Sequence, residues 1–381
     1  MRIRLSEQQL AMRETVGKLF DPDLVPVIRR MGARALGAGP DSPPTAEEQQ
    51  ARQAVWRALT ELGTLGTAVP EDRGGLGQGQ AELAVLAETM GAALYRSPLL
   101  DTVTAAEFVM ACGNDHDAYL AEIVGGAPVA LAARGRQQAD PVTAGALDLD
   151  RAADRFRAER HFVCFAPDVD YLLFVGSDEA GGYPALVRSD DPGVTWRRQD
   201  DIGRGDLYRV RFDGVHVGAA GWLASPGRAA TAWHGVMVNA QIRQAAYLVG
   251  LARGALDLGI RYARERRQFG QPIGRFQAPA FRMAAATASV DAASLLVHHA
   301  AWQADRGDDA ELSALEALST AADLARQVTT DVVQIHGAVG MTEGCDAQIF
   351  YRVAAVDAVW LGRPTELRRR AAPLLRRQVA A

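Results

Sequence analysis

The spacing of apolar residues changes period twice along the chain, and this limits the folds open to it. Leu312, Leu315, Leu318, Ala322, Ala325, Val328 and Val332 recur at helical spacing over a long segment. From Pro128 to Val217 the texture is instead one of short β-rich runs: Val129 to Ala132, Phe162 to Phe165, Tyr171 to Val175, Ala185 to Val187 and Leu207 to Val217. In the last of these Tyr208, Val210 and Phe212 alternate with Arg209 and Arg211, which describes a strand with one buried and one wet face. Further upstream the pattern is helical again. Ser6, Glu7, Gln8 and Gln9 read as a capping box, in which Ser6 and Gln9 satisfy free amides at a helix start, and Leu10, Val16, Leu19 and Phe20 supply an apolar face. After the breaker-rich run Gly37 to Pro44, helical patterns resume through Trp56 to Leu65 and from Ala81 to Met90. No strand pattern survives beyond Pro226. The expected fold is mainly α with a central β domain: an N-terminal helical domain at 1–126, a β domain at 127–226 and a C-terminal helical bundle at 227–381.

A chain of 381 residues with 48% apolar content can bury a large core without covalent staples. The three cysteines, Cys112, Cys164 and Cys345, lie far apart and form no C-x-x-C pair, so neither a disulfide framework nor a zinc site is expected. The net charge of -5 is spread along the chain, which argues against a nucleic-acid footprint. The N-terminal segment has no apolar h-region, and no stretch reads as the ~18 apolar residues of a membrane span. A cytoplasmic protein is the expectation. Lys18 is the only lysine, so a phosphate-bearing ligand would be gripped by arginine.

Several motifs admit a bland reading. Gly74, Gly75, Leu76 and Gly77 satisfy neither G-x-G-x-x-G nor the Walker pattern, and a turn opening the helix at Ala81 explains them better. His298 and His299 are neighbours outside any H-E-x-x-H and read as ordinary helix residues. No G-x-S-x-G elbow is present.

Two C-terminal segments are more specific. Tyr262 to Ile273 with Phe276 and Gln277 resembles the acyl-CoA dehydrogenase signature Y-x-x-x-R-x-Q-F-G-x-P-I-x-x-F-Q. Gln334, Ile335, His336, Gly337, Ala338, Val339 and Gly340 resemble the same family's Q-I-x-G-G-x-G. Pro70 to Gly77 is similar to its P-E-x-x-G-G-L-G, and Ile202 to Gly205 through Phe212 to Val217 to a stretch of its β domain. Physically, the first signature sets an arginine where a helix gives way to a turn, a sensible grip on a pyrophosphate, and the second sets small residues where a backbone approaches a ligand. The resemblance implies the family fold of N-terminal helices, a β barrel-like middle and a C-terminal four-helix bundle. It also implies FAD lying between subunits, with Arg266 and Gln277 at the pyrophosphate, Phe269 at the adenosine end, and Gln334, Ile335, His336, Gly337 and Ala338 at the nucleotide of a neighbour's cofactor. Ala338 replaces the usual second glycine.

The family's reaction removes an α-proton from an acyl thioester while hydride passes to the flavin, and the base is the glutamate of Y-E-G-T. Here that stretch reads Trp360, Leu361, Gly362 and Arg363, so Leu361 holds the glutamate's place. The alternative position on the preceding helix falls near Ala240, flanked by Asn239 and Gln241, and also lacks an acid. Glu343 and Asp357 are the remaining candidates for a displaced base. The T-E-P-x-x-G-S-D loop is replaced by Leu131 to Gln138, and the W-I-S/T-N strand survives only as Phe162 to Phe165, with Cys164 where a hydroxyl would meet the flavin. Three readings follow. The chain is a base-lacking partner subunit in a heteromer, a stand-alone flavoenzyme on an acyl-CoA or acyl-carrier thioester with a displaced base, or a scaffold or redox-neutral relative without flavin. The long apolar helices from Arg228 to Tyr262 and Glu311 to Ile335 suggest a homo- or hetero-oligomer.

Overall fold

A computed structural model describes residues 5–20, 45–136, 145–150, 154–179, 181–217 and 221–380. The breaker-rich run Gly37 to Pro44, and Gln137 and Gln138 of the substituted loop, lie outside them. Among the described residues five helices come first: α1 (Glu7–Leu19), α2 (Ala46–Glu61), α3 (Gln80–Ala92), α4 (Leu99–Cys112) and α5 (Asp117–Val124). The capping box forms as expected, with Ser6 Oγ accepting from Gln9 N and the Gln9 side chain accepting from Ser6 N. Val16 and Phe20 are buried, whereas Leu10 faces solvent. A second box, Thr45 with Glu48, opens α2.

Two sheets follow. In one, β5 (Tyr171–Asp178) is flanked by parallel β1 (Val129–Ala132) and β2 (Gly145–Ala146) and pairs antiparallel with β6 (Gly181–Arg188). The other is antiparallel in the order β3 (Asp148–Asp150), β4 (Arg155–Cys164), β8 (Leu207–His216), β7 (Val194–Arg198). On β8 Val210 and Phe212 are buried and Arg209 and Arg211 exposed, as the alternation predicts. Phe156, Phe174 and Phe212 pack at the centre of this module's own core. Strands β2, β3 and β7 do not follow from the sequence pattern, since β2 and β3 are too short to show a period and β7 reads Val, Thr, Trp, Arg, Arg with little apolar contrast.

The C-terminal helices are α6 (Pro226–Glu265), α7 (Gln277–Asp305), α8 (Glu311–His336), α9 (Asp346–Asp357) and α10 (Pro364–Ala380). One strand pair does occur here, a two-residue hairpin of Arg267–Gln268 against Gln271–Pro272. Helix α6 joins the two helical parts in one continuous core with α3, α4 and α8. Its approach to α3 depends on glycine: a Cβ at Gly250 would fall 1.9 Å from the Glu88 carbonyl, and one at Gly91 2.0 Å from that of Tyr247. Helices α6 and α8 hide their apolar faces within the chain, so the uncovered surface is not where the sequence placed it. It lies on α7, where Phe281, Leu295 and Leu296 are exposed. By length and composition α7 is also apolar enough to cross a membrane, contrary to expectation, because its apolar character comes from alanines scattered around the helix rather than an unbroken greasy run.

Candidate functional site

Two surfaces carry the residues singled out in the sequence. The first lies where α6 and α8 end side by side. Arg266 is the C-cap of α6, its backbone N–H donating to the Tyr262 carbonyl, and the chain then reverses through Phe269 and Gly270, both at positive φ (50° and 79°). A phenylalanine rarely adopts that conformation, and this one projects its ring 92% exposed. At the end of α8, Gly337 has φ 64° and open space where a Cβ would stand. The two segments are pinned together by Tyr262, whose ring stacks on His336 with centroids 4.2 Å apart.

Arg266, Phe269, Gln277, Gln334, Gly337 and Ala338 are all exposed on this side, and Ile335 is half-buried. Among the described residues the side chains of Arg266, Gln277 and Gln334 have no hydrogen-bond or ion-pair partner. His336 stands apart from them: it is buried beneath Tyr262, with Nδ1 2.8 Å from the Val332 carbonyl oxygen. Free guanidinium and amide donors beside an unobstructed glycine suit an anionic group such as a pyrophosphate. This face is therefore open to a phosphate-bearing ligand.

The second surface is interior, around Leu361, and is built very differently. Leu361 is 6% exposed, and its carbonyl accepts from Gln241 Nε2 at 3.2 Å. Beside it the Trp360 ring is flanked by two guanidinium groups, Arg204 with Cζ 3.8 Å from the centroid and Arg134 at 4.8 Å. Arg134 also donates to the Trp360 carbonyl and lies 5.6 Å from the Phe162 ring, so it bridges the end of β4 and the chain at Leu361. Arg204 is an ion-pair partner of Asp357, which is fully buried, and donates through Nη1 to Cys164 Sγ at 2.7 Å. Burial works most strongly against the Arg204 cation, yet the adjoining Asp357 carboxylate and the other groups around it together outweigh this, and its pKa is raised. Burial pushes the Cys164 thiol up to about 12, keeping it protonated. Asp101 on α4 accepts from Leu131 N at 3.2 Å, and burial raises its pKa to about 6.

The remaining cavity, lined by Asp101, Cys164, Arg204, Tyr247 and Trp360 among others, measures about 40 Å³. Ligand sites run from ~300 Å³ upward. A flavin ring and an acyl group do not fit here as the side chains stand. Of the two displaced-base candidates, Glu343 is exposed in the turn between α8 and α9, and one oxygen of Asp357 is committed to Arg204 while the other has no partner. Sequence reasoning missed Arg134, Tyr247 and Asp101. Arg204 was visible as the arginine of Ile202 to Gly205, but nothing in one sequence showed it turned inward. Among the described residues no group of acidic, histidine or cysteine side chains could hold a metal, and the three cysteines are free.

Comparison with known proteins agrees with the architecture. Residues 6–126 match the acyl-CoA dehydrogenase N-terminal domain model, and residues 232–372 match the acyl-CoA dehydrogenase C-terminal domain model. The chain is 27% identical over 368 residues to acyl-CoA dehydrogenase IpdE2 of Mycolicibacterium smegmatis, covering 96% of this chain and 98% of that protein. It is 27% identical over 335 residues to acyl-CoA dehydrogenase FadE27 of Mycobacterium tuberculosis, covering 84% and 88%. In fold it is similar to butyryl-CoA dehydrogenase from Megasphaera elsdenii, with a TM-score of 0.86 and 21% identity over 98% of this chain and 100% of that one. A chain of the ChsE4-ChsE5 complex from Mycobacterium tuberculosis superposes with a TM-score of 0.81 at 23% identity, over 98% and 99%. With both helical parts matched and the β module between them, the chain belongs to the acyl-CoA dehydrogenase family.

Proposed function

We propose that this chain is the base-lacking partner subunit of a heteromeric acyl-CoA dehydrogenase and takes part in FAD-dependent α,β-dehydrogenation of an acyl thioester without performing the proton abstraction itself. The observation that carries this reading is the closed interior at Leu361, where Arg204, Asp357, Trp360 and Arg134 fill the place in which the family's base would meet a substrate. A general base must stand within hydrogen-bond reach of the proton it takes, and Leu361 offers no acceptor on its side chain. The exposed face at the ends of α6 and α8 by contrast keeps Arg266, Gln277 and Gln334 free, and their donors are what a neighbour's cofactor would need.

On this reading Arg266 would hold the pyrophosphate of the partner's FAD, Gln277 and Gln334 would orient the nucleotide, and Gly337 would let the backbone approach it. When bound, the flavin accepts the hydride. The residues of this chain bind and orient, and the partner supplies the carboxylate. The uncovered α7 face, with Phe281, Leu295 and Leu296, is the surface that assembly would bury. Mixing the purified chain with a family subunit that retains the Y-E-G-T glutamate tests this. Dehydrogenase activity should rise on mixing, and light scattering should show a mixed dimer or tetramer. A monodisperse monomer with no gain in activity would refute the proposal.

A further inference from the structure

A further cavity belongs to neither surface above. It is a groove of about 730 Å³ between α2, the segment leading into α4 and the Pro167 turn of the β module. Trp56, Tyr95 and Phe165 give it apolar walls. Tyr95, Arg96, Ser97 and Phe165 also line the small inner cavity beside Arg204 and Trp360, so the groove floor is the inner cavity's outer wall. Trp56 Nε1 is bonded to the Gly126 carbonyl at 2.9 Å, which leaves its ring as a fixed apolar surface.

The charges in the groove are not all matched. Arg52 is satisfied by Asp168 and Asp206 at 2.7 and 3.1 Å. Arg96 is different. Its Nη1 is buried without a partner, and among the described residues no acid pairs with it. The pKa of Arg352 is lowered, first by burial and then by repulsion from Arg96, so a second cation adds to the positive field at Arg96. The N-terminus of α4, beginning at Leu99, adds to it as well. Asp170 and Glu61 are the other acids on the groove, and both are exposed. A buried donor without an acceptor is costly, and a ligand carboxylate is one group that would satisfy it.

We infer that the groove is a binding site for a small organic acid, whose carboxylate is held by Arg96 and whose apolar body lies against Trp56, Tyr95 and Phe165. The volume lies within the ~300–1,000 Å³ of small-molecule sites. The site does not depend on the partner-subunit reading, because it uses no residue of the α6 and α8 face and requires no flavin.

Calorimetric titration of the full chain with 2-naphthoate, with 2-naphthalenemethanol and with inorganic phosphate tests the inference. Naphthoate should bind, and the uncharged alcohol and the compact anion should each bind roughly tenfold or more weakly, given the strength of charge-assisted bonds and of apolar burial. Arg96→Met should weaken naphthoate by a similar factor and leave the melting temperature unchanged or raised, since it removes a group with no internal partner. Arg96→Lys, which keeps the charge but loses the planar fork, should fall between. No naphthoate binding, equal binding of phosphate, or an Arg96→Met variant that melts lower while binding normally would each overturn it.

Discussion

The Arg204 and Asp357 pair offers the sharpest structural perturbation. The Asp357 side chain is 0% exposed and that of Arg204 12%, so neither charge can be rehydrated in place if the other is deleted. Asp357→Ala leaves the guanidinium with Cys164 Sγ and the face of Trp360 as its remaining contacts at this site, and removal of one member of a buried pair costs ~3–5 kcal/mol. At roughly 2 °C per kcal/mol for a chain of this size, the melting temperature should fall by about 6–10 °C. The double variant Arg204→Met with Asp357→Leu removes both charges and fills the space, and such replacements are often neutral or stabilising. It should recover most of the loss. Differential scanning calorimetry of the wild type, Arg204→Met, Asp357→Leu and the double variant, with Asp357→Ala alongside, gives the coupling directly. A drop of less than about 2 °C for Asp357→Ala, or a double variant as unstable as the sum of the singles, would show that the pair is not what closes the interior.

Three further outcomes follow from the same geometry. Asp101 has its folded pKa raised from 3.8 to about 6, so the folded state binds the extra proton and the contribution of Asp101 to stability declines as pH rises from about 4 to 6. Asp101→Asn should flatten that slope and gain up to ~3 kcal/mol at pH 7, less where the half-buried side chain keeps solvent contact, as read from urea midpoints at pH 4, 5, 6 and 7; an unchanged slope would contradict it. Arg266→Ala should reduce flavin retained by the mixed oligomer on dialysis without altering the melting temperature of the isolated chain, because its side chain has no partner among the described residues; full retention would remove Arg266 from the cofactor site. Leu361→Glu should restore little activity, since the Arg134 and Arg204 guanidinium groups still flank Trp360, and substantial dehydrogenation by that variant alone would show the interior to be open.

The order of elements was legible because each part repeats its period over many residues: the alternation of β8 and the recurrence along α8 survive in the structure as buried and exposed faces. The capping box at Ser6 was legible for a local reason, since both its bonds lie within four residues. The exposed face was also within reach, because Arg266, Phe269 and Gly337 sit in contiguous motifs whose turns dictate where they point. His336 belongs to the same motif yet turns inward, as its direction is set by stacking on Tyr262, 74 residues away. The interior was opaque for that reason throughout. Arg134 meets Trp360 across 226 residues and Arg204 meets Asp357 across 153, contacts that no period or spacing announces. The surplus apolar surface was assigned to the wrong helices because hydropathy counts apolar residues without saying which of them the chain covers.

The central claim is that this chain does not carry out α-proton abstraction alone. The most direct measurement is anaerobic flavin bleaching by a panel of acyl-CoAs, made first on the isolated chain supplied with FAD and then on its mixture with a glutamate-bearing family subunit. A general base contributes ~100 to 10,000-fold in rate, so the isolated chain should give no bleaching above background, while the mixture should bleach faster than the glutamate-bearing subunit alone. Robust bleaching by the isolated chain would contradict the account.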